Sequence, residues 1–147
     1  MIVLDSSFLI AFHNEQDAHH AAACALMEQF LMGTWGRALL LEYVFLEVET
    51  VLMVRRGLSV AAQVGKLLLD AEELDFVPCS DLFSETLDLF AHQGSTRLSF
   101  TDAAIAQVAR ERAEGLVLTF DEEFRKVPLI RIPEAGLGQT KPDVSAE

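Results

Sequence analysis

Residues 1–12 read MIVLDSSFLIAF: an apolar run, one aspartate, two serines and a second apolar run. MIVL is short and uniformly apolar, the pattern of a strand buried on both faces of a parallel sheet. A lone ionised carboxylate at the end of such a strand is costly unless it caps a turn or meets a cation. The pattern recurs at 116–121, where LVLTFD ends a second apolar run in Asp121. Between them the chain alternates short apolar runs with segments of helical period. ALLL at 38–41 and DFVPC at 75–79 are further strand candidates, and PLIRI at 128–132 is a fifth that would close the sheet. Helices are expected at about 17–32, from the second strand to about Arg56, from about Ser59, over DLFSETLDLFAHQG until Gly94, and over SFTDAAIAQVARERAEG. This alternation predicts an α/β sandwich on a parallel sheet.

The chain has 147 residues, the size of one ordinary domain, and 51% of them are apolar, which excludes a disordered protein. Residues 1–134 read as a single domain. The polar GLGQTKPDVSAE that ends the chain reads as a frayed tail over 135–147. No apolar run approaches the ~20 residues that span a bilayer. No basic segment precedes the first apolar run, so neither a membrane anchor nor a secretory signal is expected, and the cytoplasm is the expected location. Cys24 and Cys79 lack C-x-x-C spacing and a histidine at ligand spacing, so both are expected as buried free thiols.

The net charge is −12, from 11 Lys and Arg against 23 Asp and Glu. That balance excludes a protein that coats nucleic acid, which needs clustered cations. It leaves room for an enzyme that reaches phosphate through a bound metal, and it favours a basic protein partner.

Four acids stand where this architecture would gather them. Asp5 and Asp121 both follow apolar strands, and ligand sites in open parallel sheets form outside the carboxyl ends of the strands. In the helix EYVFLEVETVLMVRR, Val48 and Val51 lie within about 40° of Val44 and mark the buried face. Glu47 falls about 60° from Val44, at the margin of that face. Glu42 and Glu49 fall about 160° and 140° away, on the solvent side. Ser99 followed by Asp102 matches a capping box, and Asp102 heads the face that carries Ile105, Ala106 and Ala109. Four carboxylates in one pocket repel one another unless some protonate or a cation binds. An all-oxygen set without His or Cys selects a hard ion, magnesium or manganese. Such a site suits metal-assisted hydrolysis of a phosphodiester.

At MIVLDSSFLIAF, DAHHAAA, the Glu47 helix with its RRG end, LSFTDAAIA and LVLTFDEEF the chain resembles the PIN-domain ribonucleases, most of all the VapC-type toxins of toxin–antitoxin pairs. The resemblance spans about residues 1–133. It implies a PIN-like three-layer α/β/α sandwich with a central, mainly parallel sheet of about four to five strands. It also implies an endoribonuclease dependent on Mg2+ or Mn2+, in which water attacks phosphorus to leave a 5′-phosphate and a 3′-hydroxyl. Asp5, Glu47 and Asp102 match the family's principal metal-site acids and Asp121 the more variable fourth. Ser6 or Ser7 matches a hydroxyl that supports the first aspartate, and Thr119 a threonine beside the last acid. A homodimer, an RNA substrate and a small antitoxin with a basic segment are the partners implied. Leu41-Glu42 departs from the Thr or Ser that commonly opens the second helix of the family. Glu122 and Glu123 are alternatives to Asp121.

Arg97, Arg125 and Lys126 flank the expected pocket and are the candidates for phosphate contact. His19 and His20 read as a solvent-exposed helix start, and His92 as a charge complement at a helix C-terminus. Trp35 and the phenylalanines read as core and dimer surface rather than a base-stacking platform. A receiver module is disfavoured because Ser6 follows Asp5 and no lysine follows LVLTFD. A D-x-D phosphatase is disfavoured because Ser7 holds the second Asp position. A PIN nuclease of RNA processing outside a toxin–antitoxin pair, or a non-catalytic PIN-fold binding subunit, remain as alternatives.

Overall fold

The apolar runs become strands β1 (Ile2–Leu4), β2 (Ala38–Leu41), β3 (Leu74–Val77) and β4 (Val117–Leu118) in a computed structural model that describes residues 1–136. All strand pairs are parallel and the order is β3-β2-β1-β4. Val3 pairs with Leu39 on one side and Val117 on the other. No residue of β1 or β2 is more than 1% exposed, as expected of strands covered on both faces. Edge strand β3 is less covered, and its Asp75 is held by Arg37 across the sheet edge.

Six helices connect the strands: α1 (Ser6–His13), α2 (His20–Leu31), α3 (Glu42–Arg56), α4 (Leu58–Asp70), α5 (Phe83–Ala91) and α6 (Phe100–Arg112). Helix α1 packs on α2 and α3, and α3 packs on α4; α5 packs on α6, which lies against β1 and β4. Connections through α1–α4 step outward from β1 to β3, and the connection through α5 and α6 returns to the other side of β1. Right-handed crossovers then put the two helix groups on opposite faces, making the α/β/α sandwich. The strand order reverses between β1 and β4, so their carboxyl ends border the switch point where ligands enter such sheets. Residues Ala103–Ala109 of α6 are all buried, and its alanines let the helix lie close to the sheet.

Several expectations are corrected. FLIAF, which the sequence pattern assigns to no element, belongs to α1, because the Asp5 carboxylate accepts the Ser6 N–H at 2.8 Å and starts a helix directly after β1. The helix expected from residue 17 starts at His20, since Asn14 and Asp17 side chains accept the N–H groups of Gln16 and His19 and hold a turn there. PLIRI contributes a single bridge, Leu116 to Arg131, so the sheet has four strands. Pro128 and a left-handed Leu129 (φ 68°) break its pairing. Gly115 makes that bridge possible: its φ is 82°, and a Cβ there would sit 1.9 Å from the Leu129 carbonyl oxygen. Cys79 is buried, but Cys24 is half-buried, and His20, one helical turn away, places Nε2 3.4 Å from its Sγ. Beyond Gly136, the expected tail lies outside the described residues. Among the described residues no helix is long and apolar enough to cross a membrane.

Candidate active site

Asp5 is the most constrained of the four acids. It is 3% exposed. Its Oδ2 accepts the hydroxyls of Ser7 at 2.8 Å and Thr119 at 2.7 Å, while Oδ1 accepts the Ser6 N–H and stands 3.5 Å from the Ser6 hydroxyl. The two hydroxyls are in turn fixed by backbone: Ser7 Oγ accepts Phe120 N–H and Thr119 Oγ1 accepts Asp121 N–H, both at 2.9 Å. Each hydroxyl has one proton, and accepting from backbone leaves that proton for Asp5. This web ties the end of β1 to the end of β4 and ends strand pairing at Leu118.

Burial pushes the Asp5 carboxyl above its ordinary range; the donors from Thr119, Ser7 and Ser6 oppose the shift, and the Asp121 charge adds to it. Asp102 is pushed up to about 6, first by burial and then by the charge of Asp5, against the opposing bonds of Ser99. Its place comes from the capping box: Ser99 Oγ accepts Asp102 N–H at 3.1 Å and Asp102 Oδ2 accepts Ser99 N–H at 3.2 Å. Glu47 is also raised, by burial and then by Asp5, with Ser6 opposing and Asp121 adding. Asp121 caps the following 3-10 helix (Glu122–Lys126), accepting Glu123 N–H at 3.0 Å. Asp5, Glu47 and Asp102 therefore each feel the charge of Asp121, and Glu47 and Asp102 also that of Asp5, across the ends of β1 and β4. They do not form a closed cage: among the described residues no three acids, histidines or cysteines are already grouped to hold one ion. The donor set itself fits a hard divalent cation, being all oxygen, partly desolvated and mutually repulsive.

A cleft of about 280 Å³ is lined by Ser6, Ser7, Glu47, Asp121, His19 and Arg55 among others; of the four acids, Glu47 and Asp121 line it. A larger cleft, about 770 Å³, lies between α5, α6 and the 122–126 segment and is lined by none of the four acids. The expected phosphate contacts are less free than their sequence positions imply. Arg125 is paired with Glu122 and Glu134, and Lys126 with Glu123 at 2.8 Å. Arg97 donates its backbone N–H to Glu123 at 3.2 Å. Glu122 and Glu123 are thereby engaged with cations, and Glu123 is held below the usual carboxylate range by Lys126 and then by the Arg97 N–H.

Two lining residues were missed. Arg55 has a partial signal in the sequence: eight residues after Glu47 it lies about 80° round α3 from it, near enough for both to line one cleft. Its guanidinium pairs with no acid among the described residues. His19 has none, because its position depends on stacking against Phe120, a hundred residues away. The expected solvent placement of Glu42 and Glu49 is also corrected. Glu42 is half-buried and accepts the Cys79 N–H at 3.0 Å, and Glu49 Oε1 is buried with no donor among the described residues. Leu52, not Val51, completes the fully buried stripe with Val44 and Val48.

The sequence profile of the PIN domain matches residues 2–129, and the chain belongs to the PIN domain family. Among solved structures it is similar to VapC20 of Mycobacterium tuberculosis, described as a sarcin-ricin loop cleaving toxin. That match has a TM-score of 0.76 at 21% identity and covers 88% of this chain and 97% of that one. It is also similar to VapBC2 of Rickettsia felis bound to a promoter DNA fragment, with a TM-score of 0.60 at 15% identity over 90% of this chain and 98% of that one. Identities this low establish likeness of fold. A comparison with curated proteins by sequence found no match.

Proposed function

We propose that this PIN domain is a divalent-metal-dependent endoribonuclease and the toxin of a toxin–antitoxin pair. The observation that supports the reading is that Glu47 and Asp102 feel the charges of Asp5 and Asp121 near the β1/β4 switch point, where burial and repulsion raise Asp5, Glu47 and Asp102. These four would hold Mg2+ or Mn2+. When bound, such an ion lowers the pKa of water and offsets negative charge on a phosphodiester. Ser7, Thr119 and Ser6 orient Asp5, leaving Glu47 and Asp121 to face the cleft. Arg97 would offer its guanidinium to a backbone phosphate; Arg125 and Lys126 would serve by exchanging a carboxylate partner for phosphate.

The toxin reading is supported by the fold shared with VapC20 and VapBC2. An acidic chain with an acidic cleft suits an antitoxin whose basic segment covers the site. Homodimerisation is supported by an aromatic patch in which Phe83 and Phe90, 52% and 37% exposed, contact Phe100. An RNA target fits a cytoplasmic enzyme.

The test is incubation of the purified protein with RNA and Mn2+, with EDTA and Asp5→Asn as controls. Cleavage that leaves 5′-phosphate and 3′-hydroxyl ends and fails in both controls supports the reading. Equal cleavage by wild type and Asp5→Asn would remove the support.

A further inference from the structure

We propose that His19 is a nucleobase platform: the outer face of its imidazole stacks on a base next to the scissile phosphate of single-stranded RNA, and Arg55 takes a backbone phosphate across the same cleft. The proposal rests on the nuclease reading and assigns substrate contacts to it. Its basis is a series of three rings running from core to solvent, the inner pair tilted by 36° and the outer pair stacked. Phe8 is fully buried; Phe120, half-buried, lies 6.4 Å from it; His19, exposed, lies flat on Phe120 at 4.5 Å with 6° between the planes. One face of the imidazole is covered by Phe120 and the other side of the residue is open to solvent.

The backbone that carries the ring is held, and the ring itself lies on Phe120. The His19 N–H donates to Asp17 Oδ1 at 2.8 Å, and the His19 carbonyl accepts the Ala23 N–H at 2.9 Å at the start of α2. A platform fixed in advance loses little conformational entropy when a base lands on it. Below it, Phe120 donates its N–H to Ser7 Oγ, the same hydroxyl that supports Asp5. The stack therefore reaches Asp5 through two hydrogen bonds.

His19, Phe120 and Asp121 also form a ridge between two clefts. On one side lies the acid cleft with Glu47 and Arg55; on the other lies a cleft of about 170 Å³ that reaches Arg125 and Ile132. A strand crossing the acids must pass this ridge, which presents an aromatic face. Aromatic faces accept every base, so the ridge would contribute affinity without reading sequence. Arg55, lining the same cleft as Glu47, is the complementary cation. An acidic protein has few other means to hold a polyanion.

The test uses the full chain, a short single-stranded RNA carrying 2-aminopurine, and EDTA to prevent metal-dependent cleavage. Wild type is expected to quench the probe on binding. His19→Ala is expected to bind about tenfold more weakly with the quench lost, and His19→Phe to restore both. Arg55→Gln is expected to weaken binding and reduce its salt dependence by about one phosphate contact. Equal affinity and quench for wild type and His19→Ala, failure of His19→Phe to restore them, or no RNA-dependent change in wild type overturns the platform. Cleavage with Mn2+ is measured in parallel. No platform effect in wild type with cleavage intact refutes this inference alone, whereas a platform effect in wild type without cleavage refutes the nuclease reading.

Discussion

Two glutamates two positions apart on α3 share one symptom and differ in its cause. Burial raises both Glu47 and Glu49 above the ordinary carboxylate range. Glu47 is raised further by Asp5 and Asp121, and it opens into a cleft with Arg55. Glu49 has burial as its one cause and lies against α4, where a Cβ on Gly65 would stand 2.7 Å from its buried Oε1. A perturbed carboxyl therefore does not by itself mark a site. Like charges gathered around it, over an open cleft, do.

Substitution separates the two most sharply. If the proposed ion is held as above, Asp5→Asn or Glu47→Gln reduces RNA cleavage by about a hundredfold or more, since each removes a proposed donor to it. Glu49→Gln is expected to leave the rate within about twofold, because Glu49 touches neither cleft nor acids. Rates under single-turnover conditions with Mn2+ decide this, and a large loss in Glu49→Gln would break the distinction. Thr119→Val removes a support of Asp5 without removing an acid, and about a ten- to hundredfold loss is expected, the usual cost of losing a partner behind a metal ligand.

The pH dependence of stability gives a smaller effect. Asp102 titrates near 6 in the folded chain against 3.8 ordinarily. Between those values the folded state holds the proton that the unfolded state has released, so stability falls as pH rises from about 4 to 6. Allowing for solvent screening, the loss is on the order of 1–2 kcal/mol. Asp102→Asn should flatten that slope in urea melts, and saturating Mn2+ should offset it, since an ion that binds only the folded state stabilises it. The smallest effect belongs to Glu49→Gln, expected to stabilise at neutral pH by a few tenths to about 1 kcal/mol by removing a charge from the α3–α4 seam.

The same contrast explains what could be read in the residues and what could not. MIVLD and LVLTFD were legible because short apolar runs ending in Asp report both strand and sheet edge. ALLL matched β2 residue for residue, and S-F-T-D reported its own cap. These are local signals. PLIRI carried the same apolar signal, but Pro128 and the left-handed Leu129 leave it one bridge. Glu49 was placed in solvent because helical phase against one buried stripe ignores a second helix, α4, on the other flank. His19 was passed over because its partner, Phe120, is brought to it only by the chain's return to β4. What tertiary return decides, a single sequence does not display.

Calorimetric titration of the wild type, Asp5→Asn and Glu49→Gln with Mn2+ tests the central claim most directly, that the raised acids at the β1/β4 edge form a cation site. The account predicts binding to wild type, unchanged binding to Glu49→Gln, and binding abolished or weakened at least about tenfold in Asp5→Asn. Absence of binding to wild type, or equal binding by all three chains, would contradict it.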